Sequence, residues 1–157
     1  MIERFIEGRE INVSIIEIDA GVGPAVLPLA EIDWRLRPGV PRVCGYEAKW
    51  IATSETFAGT PVICPAPLAP SLEKRIAEIA RAAFAATGCR DYTRIDMRID
   101  GDDNPFVLEI NPNPCIAPGS GLAQAARAAG WSYDEIICRI VRNAEARGSV
   151  GSAARIG

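Results

Sequence analysis

The sequence contains no histidine, and this absence excludes several kinds of active site. Without an imidazole, the 157 residues cannot form a Ser-His or Cys-His nucleophilic pair or a His-ligated metal site. No Cys-x-x-Cys pair is present either, because the cysteines stand singly at positions 44, 64, 89, 115 and 138. Their odd number and wide spacing indicate free thiols in a reducing compartment rather than zinc ligands or disulfides.

Long apolar runs and a strong charge of one sign are also lacking. No apolar run approaches the ~18 residues of a membrane span, and no secretory signal pattern is seen. The formal net charge is −3, with 48% hydrophobic and 24% charged residues, which is ordinary for a globular domain. We therefore expect one cytoplasmic domain that binds neither nucleic acid nor a membrane.

Apolar periodicity predicts an α+β fold in which helices flank an antiparallel sheet. Strands are predicted over residues 1–6, 11–18, 25–34, 62–64, 94–99 and 106–111. Helices are predicted from Pro70-Ser71 to Gly88, over 122–129, and from Ser132 onward. The segment 45–60 has weak periodicity and is predicted to be a partly irregular loop. We place the domain at residues 1–147 and a flexible tail at 148–157.

Individual residues mark the predicted helix ends and strand faces. Ser71 is the predicted N-cap of the first helix, and Ser132 caps the last, where Glu135 completes a capping box. Gly88 is predicted to end the first helix as a C′ glycine. In the strand over 11–18, one face carries Ile11, Val13 and Ile15, and the other carries Asn12, Ser14 and Ile16.

The stretch from Thr93 to Ser120, TRIDMRIDGDDNPFVLEINPNPCIAPGS, has the pattern of a hairpin followed by a proline-rich loop. Its two strands alternate polar and apolar residues, and GDDN between them is a turn composition. In the second strand, one face is predicted to carry Phe106, Leu108 and Ile110, and the other Val107, Glu109 and Asn111.

The pairing of the two strands predicts a polar cluster. If the hairpin pivots between Asp102 and Asp103, Asp96 lies opposite Glu109, and Arg94 lies opposite Asn111. Opposed carboxylates repel by roughly 0.2–1 kcal/mol, and a cation between them reverses that sign. The donors are all hard oxygens, which suits Mg²⁺ or Mn²⁺. The alternative is a solvated sheet face with incidental charges.

The motifs R-I-D at 94–96 and L-E-I-N-P-N-P at 108–114 resemble the catalytic core of the ATP-grasp ligases, in particular the D-alanine–D-alanine ligase-like branch. The similarity extends through EGRE, GYEAKW and GCRDYTRIDMRID, at 7–10, 45–50 and 88–100. It implies the C-terminal ATP-grasp subdomain of a peptide-bond-forming carboxylate–amine ligase that acts through an acyl phosphate. The implied cofactors are ATP and Mg²⁺ (or Mn²⁺), and the implied substrates are a small carboxylate and an amine such as a D-amino acid.

The resemblance also implies roles for individual residues. The implied metal ligands are Asp96, Glu109 and Asn111. The implied catalytic residues are Arg94, at the transferred phosphate, and Ser120, near the substrate carboxylate. The implied nucleotide contacts are Glu3 and the Ile6 backbone at the adenine, Glu10 at the ribose, and Lys49 at a phosphate, with Tyr46 and Trp50 packing a lid. Cys115 stands where the D-alanine–D-alanine ligases usually have glycine, which leaves the substrate pair open.

The family also uses an upstream domain, a glycine-rich loop and phosphate-binding lysines, and none of these is in the sequence. The resemblance therefore implies a partner, either the missing N-terminal half or a second copy, and no activity in isolation. Two alternatives stay open: a non-catalytic Mg-nucleotide-binding remnant or interaction module, and a structural α+β domain without a ligand. A thermal shift with Mg-ATP distinguishes a structural domain without a ligand from the two interpretations in which nucleotide is bound. An ADP-release assay distinguishes the non-catalytic remnant from an active ligase.

Overall fold

An antiparallel sheet organises the chain, and the computed structural model describes residues 2–18 and 23–153, with side chains through 148. The strands are β1 (Arg9–Glu17), β2 (Pro24–Val26), β3 (Ala30–Ile32), β4 (Val62–Ile63), β5 (Tyr92–Ile99) and β6 (Pro105–Asn111). The helices are α1 (Tyr46–Trp50), α2 (Glu55–Ala58), α3 (Pro70–Ala86), α4 (Gly121–Ala128) and α5 (Tyr133–Ala153). The predicted α+β class, a sheet with flanking helices, is confirmed. No helix in the described part is long and apolar enough to cross a membrane.

Strand β1 lies at the centre of the sheet. The strand order is β4-β3-β1-β5-β6, and β2 shares with β3 the edge of β1 that faces away from β5. The single strand predicted over 25–34 is therefore wrong, because it is divided at Pro28. Proline has no N–H to donate to a ladder, although Leu27 N still donates to Ser14 O at 2.9 Å.

The two faces of the sheet are covered differently. The predicted faces of β1 are confirmed by the clusters to which their apolar residues belong. One face packs on α3, through a cluster that includes Ile11, Val13, Ile15, Ile95, Met97, Leu72, Ile76 and Phe84. On the other face, α4 and α5 cover the end near Ile16, in a cluster of Ile16, Leu27, Leu122, Ala125, Ala126 and Ile136. The remainder of this second face carries the polar side chains of β1 and β5, with Ala30, Ile32 and Phe106 opposite them on the neighbouring strands.

Three local predictions are wrong. Residues 2–6 form no strand, whereas a strand was predicted over 1–6; Met1 lies outside the described residues. The segment 45–60 contains the two short helices α1 and α2. Helix α3 has Ala69 rather than Ser71 as its N-cap, with Pro70 in the first turn, where a missing N–H costs nothing.

The other helix boundaries agree with the sequence pattern. Gly88 and Gly130 adopt φ of 64° and 84° after α3 and α4, which is the left-handed conformation expected of a C′ residue. Before α5, Ser132 N donates to Glu135 Oε2 at 2.6 Å, and Glu135 N donates to Ser132 Oγ at 3.2 Å. Helix α5 continues through Ala153, and 154–157 lie outside the described residues, so the flexible tail over 148–157 stays a prediction.

Candidate functional site

The pairing of β5 with β6 places the predicted polar residues opposite each other. Asp96 pairs with Glu109, and Arg94 pairs with Asn111, as the sequence predicts. The predicted pivot is nevertheless wrong, because Ile99 pairs with Pro105 at the turn. A β-bulge between Asp96 and Met97 takes up the difference of one residue and restores the expected register beyond it.

The bulge decides which side chains of β6 reach the polar face. Between the turn and the bulge, Phe106 lies opposite Arg98, and Val107 lies opposite the core residue Met97. The predicted faces of Phe106 and Val107 are therefore wrong. A ladder that continued without a bulge would bring Leu108 opposite Asp96 and move Glu109 to the core face. Leu108 is therefore the extra residue that keeps Glu109 on the side of Asp96.

Arg94 neutralises Asp96 in a bidentate ion pair. Arg94 Nε and Nη2 donate to Asp96 Oδ1 and Oδ2 at 2.7 and 2.8 Å, and Asn12 Nδ2 donates to Oδ1 at 2.9 Å. Asp96 is only 6% exposed. The hydrogen bonds that Arg94 donates to Asp96 raise the pKa of Arg94 most; burial opposes this shift, and the charges of Asp96 and Glu109 add to it, so Arg94 is always a cation.

A second buried ion pair lies beside the first. Arg98 Nη2 is 3.0 Å from Glu10 Oε2, and the two side chains are 4% and 9% exposed. Burial raises the pKa of the Glu10 carboxyl, although Arg98 opposes that shift. Arg98 Nη1 also donates to Ile6 O at 3.3 Å, and Nη2 donates to Arg42 O. Together these contacts attach the start of the chain and the 37–44 loop to the sheet.

The segment that contains Lys49 lies at the Glu10 end of this face. Lys49 is exposed on α1, but its charge acts on both Glu10 and Cys44. Burial, followed by the charge of Glu10, raises the pKa of the Cys44 thiol. Tyr46 and Trp50 are 72% and 67% exposed, so they are not packed as a closed lid would require.

The other predicted site residues are more exposed than Asp96 and Glu10. Glu3 is exposed and Ile6 is half-buried. Ser120 is the N-cap of α4, and its Oγ accepts from Ala123 N at 3.3 Å. Glu109 is exposed, and Asn111 Oδ1 accepts from Asn113 N at 3.0 Å. The structure thus brings together Glu10, Arg94, Asp96, Glu109 and Asn111, while Glu3 and Ser120 lie outside this cluster.

Comparison with known proteins shows the family. Residues 1–142 match the family described as D-ala D-ala ligase C-terminus. The chain belongs to this family. A D-alanine–D-alanine ligase of Herminiimonas arsenicoxydans is 34% identical over 146 residues, which is 92% of this chain and 40% of that ligase. The chain spans about two fifths of the length of the curated relatives it matches.

Solved structures agree with this membership of the D-ala D-ala ligase C-terminus family. The D-alanine–D-alanine ligase of Bacillus anthracis complexed with ATP is 25% identical and has a TM-score of 0.66, over 90% of this chain and 39% of that one. The ligase of Coxiella burnetii has a TM-score of 0.74 at 20% identity, over 97% of this chain and 36% of that one, which shows a shared fold. The fold is that of an ATP-grasp C-terminal region.

The donor set of the family's expected metal site fits a hard cation, with one restriction. No group of three His, Cys, Asp or Glu side chains able to hold a metal occurs in the part of the chain that the structure describes. The set here has two carboxylates and one amide oxygen, which are ligands that Mg²⁺ accepts. A carboxylate offers about four acceptor sites, and Arg94 and Asn12 occupy three of those on Asp96. Only one remains, on Oδ2.

Sequence reasoning missed Asn12 and Arg98 as parts of the site. Both belong to the polar face, where Asn12 pairs with Asp96 and Arg98 pairs with Glu10 across β1 and β5. A signal existed, since Arg98 continues the polar alternation of Arg94 and Asp96. The alternation alone does not show which charge on β1 would meet it.

Proposed function

We propose that this chain forms the metal- and nucleotide-binding face of an ATP-dependent carboxylate–amine ligase, which activates its acid as an acyl phosphate. One observation carries the proposal: Asp96 opposite Glu109, with Arg94 opposite Asn111, on a single sheet face. This arrangement joins hard oxygen donors to a permanent cation. Phosphoryl transfer needs both, because its catalysis depends on positioning and on neutralising charge.

The proposed metal ligands are Asp96, Glu109 and Asn111. When bound, Mg²⁺ would neutralise the phosphate oxygens and increase the electrophilicity of the terminal phosphorus. Glu109 is the most accessible of the three side chains, and Asp96 offers the remaining acceptor site on Oδ2. Asn111 adds a neutral oxygen, which limits the negative charge of the set.

Arg94 is the proposed catalytic cation. Its guanidinium presents a planar fork of donors that matches either a carboxylate or a phosphate. In the structure the fork holds Asp96, which keeps two opposed carboxylates from repelling each other. We infer that the same fork turns to the transferred phosphoryl group, whose developing charge it stabilises.

The nucleotide contacts are proposed for Glu3, Ile6, Glu10 and Lys49. The Glu10 carboxylate can accept hydrogen bonds from both hydroxyls of a ribose diol, and the Ile6 main chain and Glu3 are proposed to contact the base. Ser120 caps α4, at a helix N-terminus that favours an anion such as a substrate carboxylate. Lys49 requires a closing movement of α1, since its side chain is exposed in the structure.

A second candidate function is binding of Mg-nucleotide without turnover. The saturation of Asp96 by Arg94 and Asn12 favours it, because a cation must then compete for that carboxylate. An ADP-release assay with mixed D- and L-amino acids distinguishes the two functions. The proposal leaves the identity of the acid and the amine unspecified. Cys115 is exposed, and its replacement by glycine would test the substrate pair.

The test of the site is the thermal shift produced by Mg²⁺ with a non-hydrolysable ATP analogue. Binding to the folded state raises the melting temperature by mass action, and Glu109→Gln should remove most of that rise. Glu73→Gln is the matched control, because Glu73 is exposed on α3, which packs on the other face of the sheet. An equal rise in Glu109→Gln and in the control would refute the assigned ligands.

A further inference from the structure

Arg98 is the most heavily bonded side chain of the polar face, and the proposed chemistry does not use it. Its guanidinium pairs with Glu10 and donates to the carbonyls of Ile6 and Arg42, and the side chain is 4% exposed. It also lies over two aromatic rings, 5.0 Å from the Phe5 centroid and 5.4 Å from the Trp34 centroid. Such cation–π contacts strengthen when they are desolvated.

These contacts join parts of the chain that have no regular pairing of their own. Residues 2–7 and 41–45 are neither helical nor in a strand, so no hydrogen-bond ladder fixes them. A buried cation must be compensated, and Arg98 is compensated by one carboxylate and by the main chain of both segments. The guanidinium therefore takes the place of a ladder in holding the two segments against β5.

The same guanidinium lies at a cavity. Arg98 lines a cleft of about 440 Å³ together with Phe5, Glu7 and residues 39–43. Clefts of roughly 300–1,000 Å³ are the usual size of small-molecule sites. Arg98 therefore connects this cleft to Glu10 and the Ile6 carbonyl, the groups proposed for the ribose and the base, which are two of its three polar partners and do not line the cleft themselves.

We propose that Arg98 is a positioning residue for the nucleoside half of the ligand, which acts by fixing Glu10 and the Ile6 main chain in place. The inference rests on the proposed function, because it takes the ligand to be a nucleotide. It assigns the two ends of that ligand to different arginines: Arg94 serves the phosphates, and Arg98 orders the groups that receive the base and the ribose. Lysine cannot replace Arg98, since one ammonium lacks the planar fork that reaches Glu10 and two carbonyls together.

The test compares two ligands on the full chain with Arg98→Lys. Ligand-observed magnetic resonance titrations up to millimolar concentration would use Mg²⁺ with a non-hydrolysable ATP analogue, and Mg²⁺ with inorganic tripolyphosphate. We expect Arg98→Lys to weaken the nucleotide about tenfold or more, and to leave tripolyphosphate within about twofold. Arg75→Lys is the matched control, because Arg75 is exposed on α3 and, among the residues that the structure describes, bonds to the turn residues 103 and 104.

A general structural defect would weaken binding of both ligands, so a loss confined to the nucleotide supports the positioning role. Equal weakening of both ligands, or of neither, would overturn the positioning role. If Arg98→Lys does not fold, Arg98→Gln keeps a planar amide donor for Glu10, leaves the ribose contact itself unmutated, and takes the place of Arg98→Lys in the same two titrations. It should show the same selective loss for the nucleotide.

Amide hydrogen exchange separates this inference from the proposed function. Without any ligand, Arg98→Lys should speed exchange of the Val43 and Gly45 amides, which donate to Pro41 O and Val43 O, at least about tenfold, while Arg75→Lys should not. If the unmutated chain bound neither ligand, the proposed function would fail, and the exchange rates alone would decide whether Arg98 orders these segments. Unchanged exchange in Arg98→Lys would overturn that ordering.

Discussion

Asp96 is the residue at which we propose that Arg94 and a metal ion compete. Arg94 approaches both of its oxygens within 2.8 Å, so a divalent ion must share the carboxylate or displace the guanidinium. The competition has a use in the proposed cycle. Before nucleotide enters, Arg94 keeps the paired carboxylates neutralised; when phosphate is present, it has a second anion with which its fork can pair. The site should therefore bind a metal ion weakly when no nucleotide is present.

Removing Arg94 should tighten metal binding in the absence of nucleotide. Arg94→Gln frees two acceptor positions on Asp96 and removes a cation from the site, so Mn²⁺ should bind roughly tenfold more tightly. Electron paramagnetic resonance of free Mn²⁺ measures this directly. Arg75→Gln makes the same charge change far from the polar face and serves as the control. Equal or weaker Mn²⁺ binding by Arg94→Gln would mean that Arg94 does not compete with a metal ion for the Asp96 carboxylate.

Cys44 offers a reporter at the same face. Because burial raises the pKa of its thiol, the thiolate is scarce at neutral pH, and alkylation should be slow there. The rate should keep rising with pH after ordinary thiols have fully ionised. Mg-nucleotide should slow it further, since Glu10 and Lys49 act on the same thiol. Peptide mapping by mass spectrometry, with exposed Cys115 as the internal reference, measures each site; a rate for Cys44 that matches Cys115 at every pH would contradict this account.

At the scale of elements, the N-terminus of α3 has an unused stabilising position. Ala69 occupies the N-cap with φ −64° and ψ 139° and makes no side-chain cap hydrogen bond. Ala69→Ser supplies that acceptor and should raise the free energy of unfolding by about 1 kcal/mol. Ser71→Ala should change it by less than about 0.5 kcal/mol, because Ser71 already lies inside the helix. Urea denaturation of both variants provides the measurement, and a larger loss at Ser71 would place the cap two residues later.

The hairpin shows what alternation predicts and what it leaves open. The polar period of Arg94, Asp96 and Glu109 identified two strands and the correct partners at the site. The turn chemistry was not predicted: Asp100 Oδ1 accepts from the N–H groups of residues 102 and 104, which moves the pivot. Val107 and Leu108 are both apolar, so nothing in their order marks the bulge that compensates.

Contacts between residues far apart in the sequence, and very short helices, were the least predictable parts of the structure. The Asn12–Asp96 contact spans 84 residues, and the register of β1 on β5 decides which charges meet. Local periodicity has no access to that register. Helix α1 has five residues and a glycine N-cap without a side-chain hydrogen bond, so it presents neither a full apolar stripe nor a cap signal. Residues 2–6 do not alternate strictly, and contacts of Phe5 and Ile6 with Arg98 hold them instead of strand pairing.

The whole molecule exposes apolar side chains near the proposed nucleotide contacts. Ile2, Phe5 and Val43 are 100%, 57% and 55% exposed, and Tyr46 and Trp50 on α1 are more than half exposed. Such groups at the edge of a polar site favour contact with another protein surface. The relatives that match this chain are more than twice as long, which makes their remaining part the occupant we propose.

These features predict that the 157 residues bind nucleotide weakly and do not ligate. The polar face supplies metal ligands and the proposed base and ribose contacts, whereas the resemblance assigns a glycine-rich loop and phosphate-binding lysines to the part not spanned. Each missing charge-assisted contact is worth about 1.5–3 kcal/mol, so two or three of them weaken binding by orders of magnitude. Calorimetry with a non-hydrolysable ATP analogue and a coupled ADP assay with D- and L-amino acids should show millimolar affinity and no turnover. Adding the remaining part of a relative as a separate chain should restore turnover in the unmutated chain but not in Glu109→Gln. Tight binding with steady ADP release from this chain alone would contradict the prediction, because the polar face would then be sufficient for ligation.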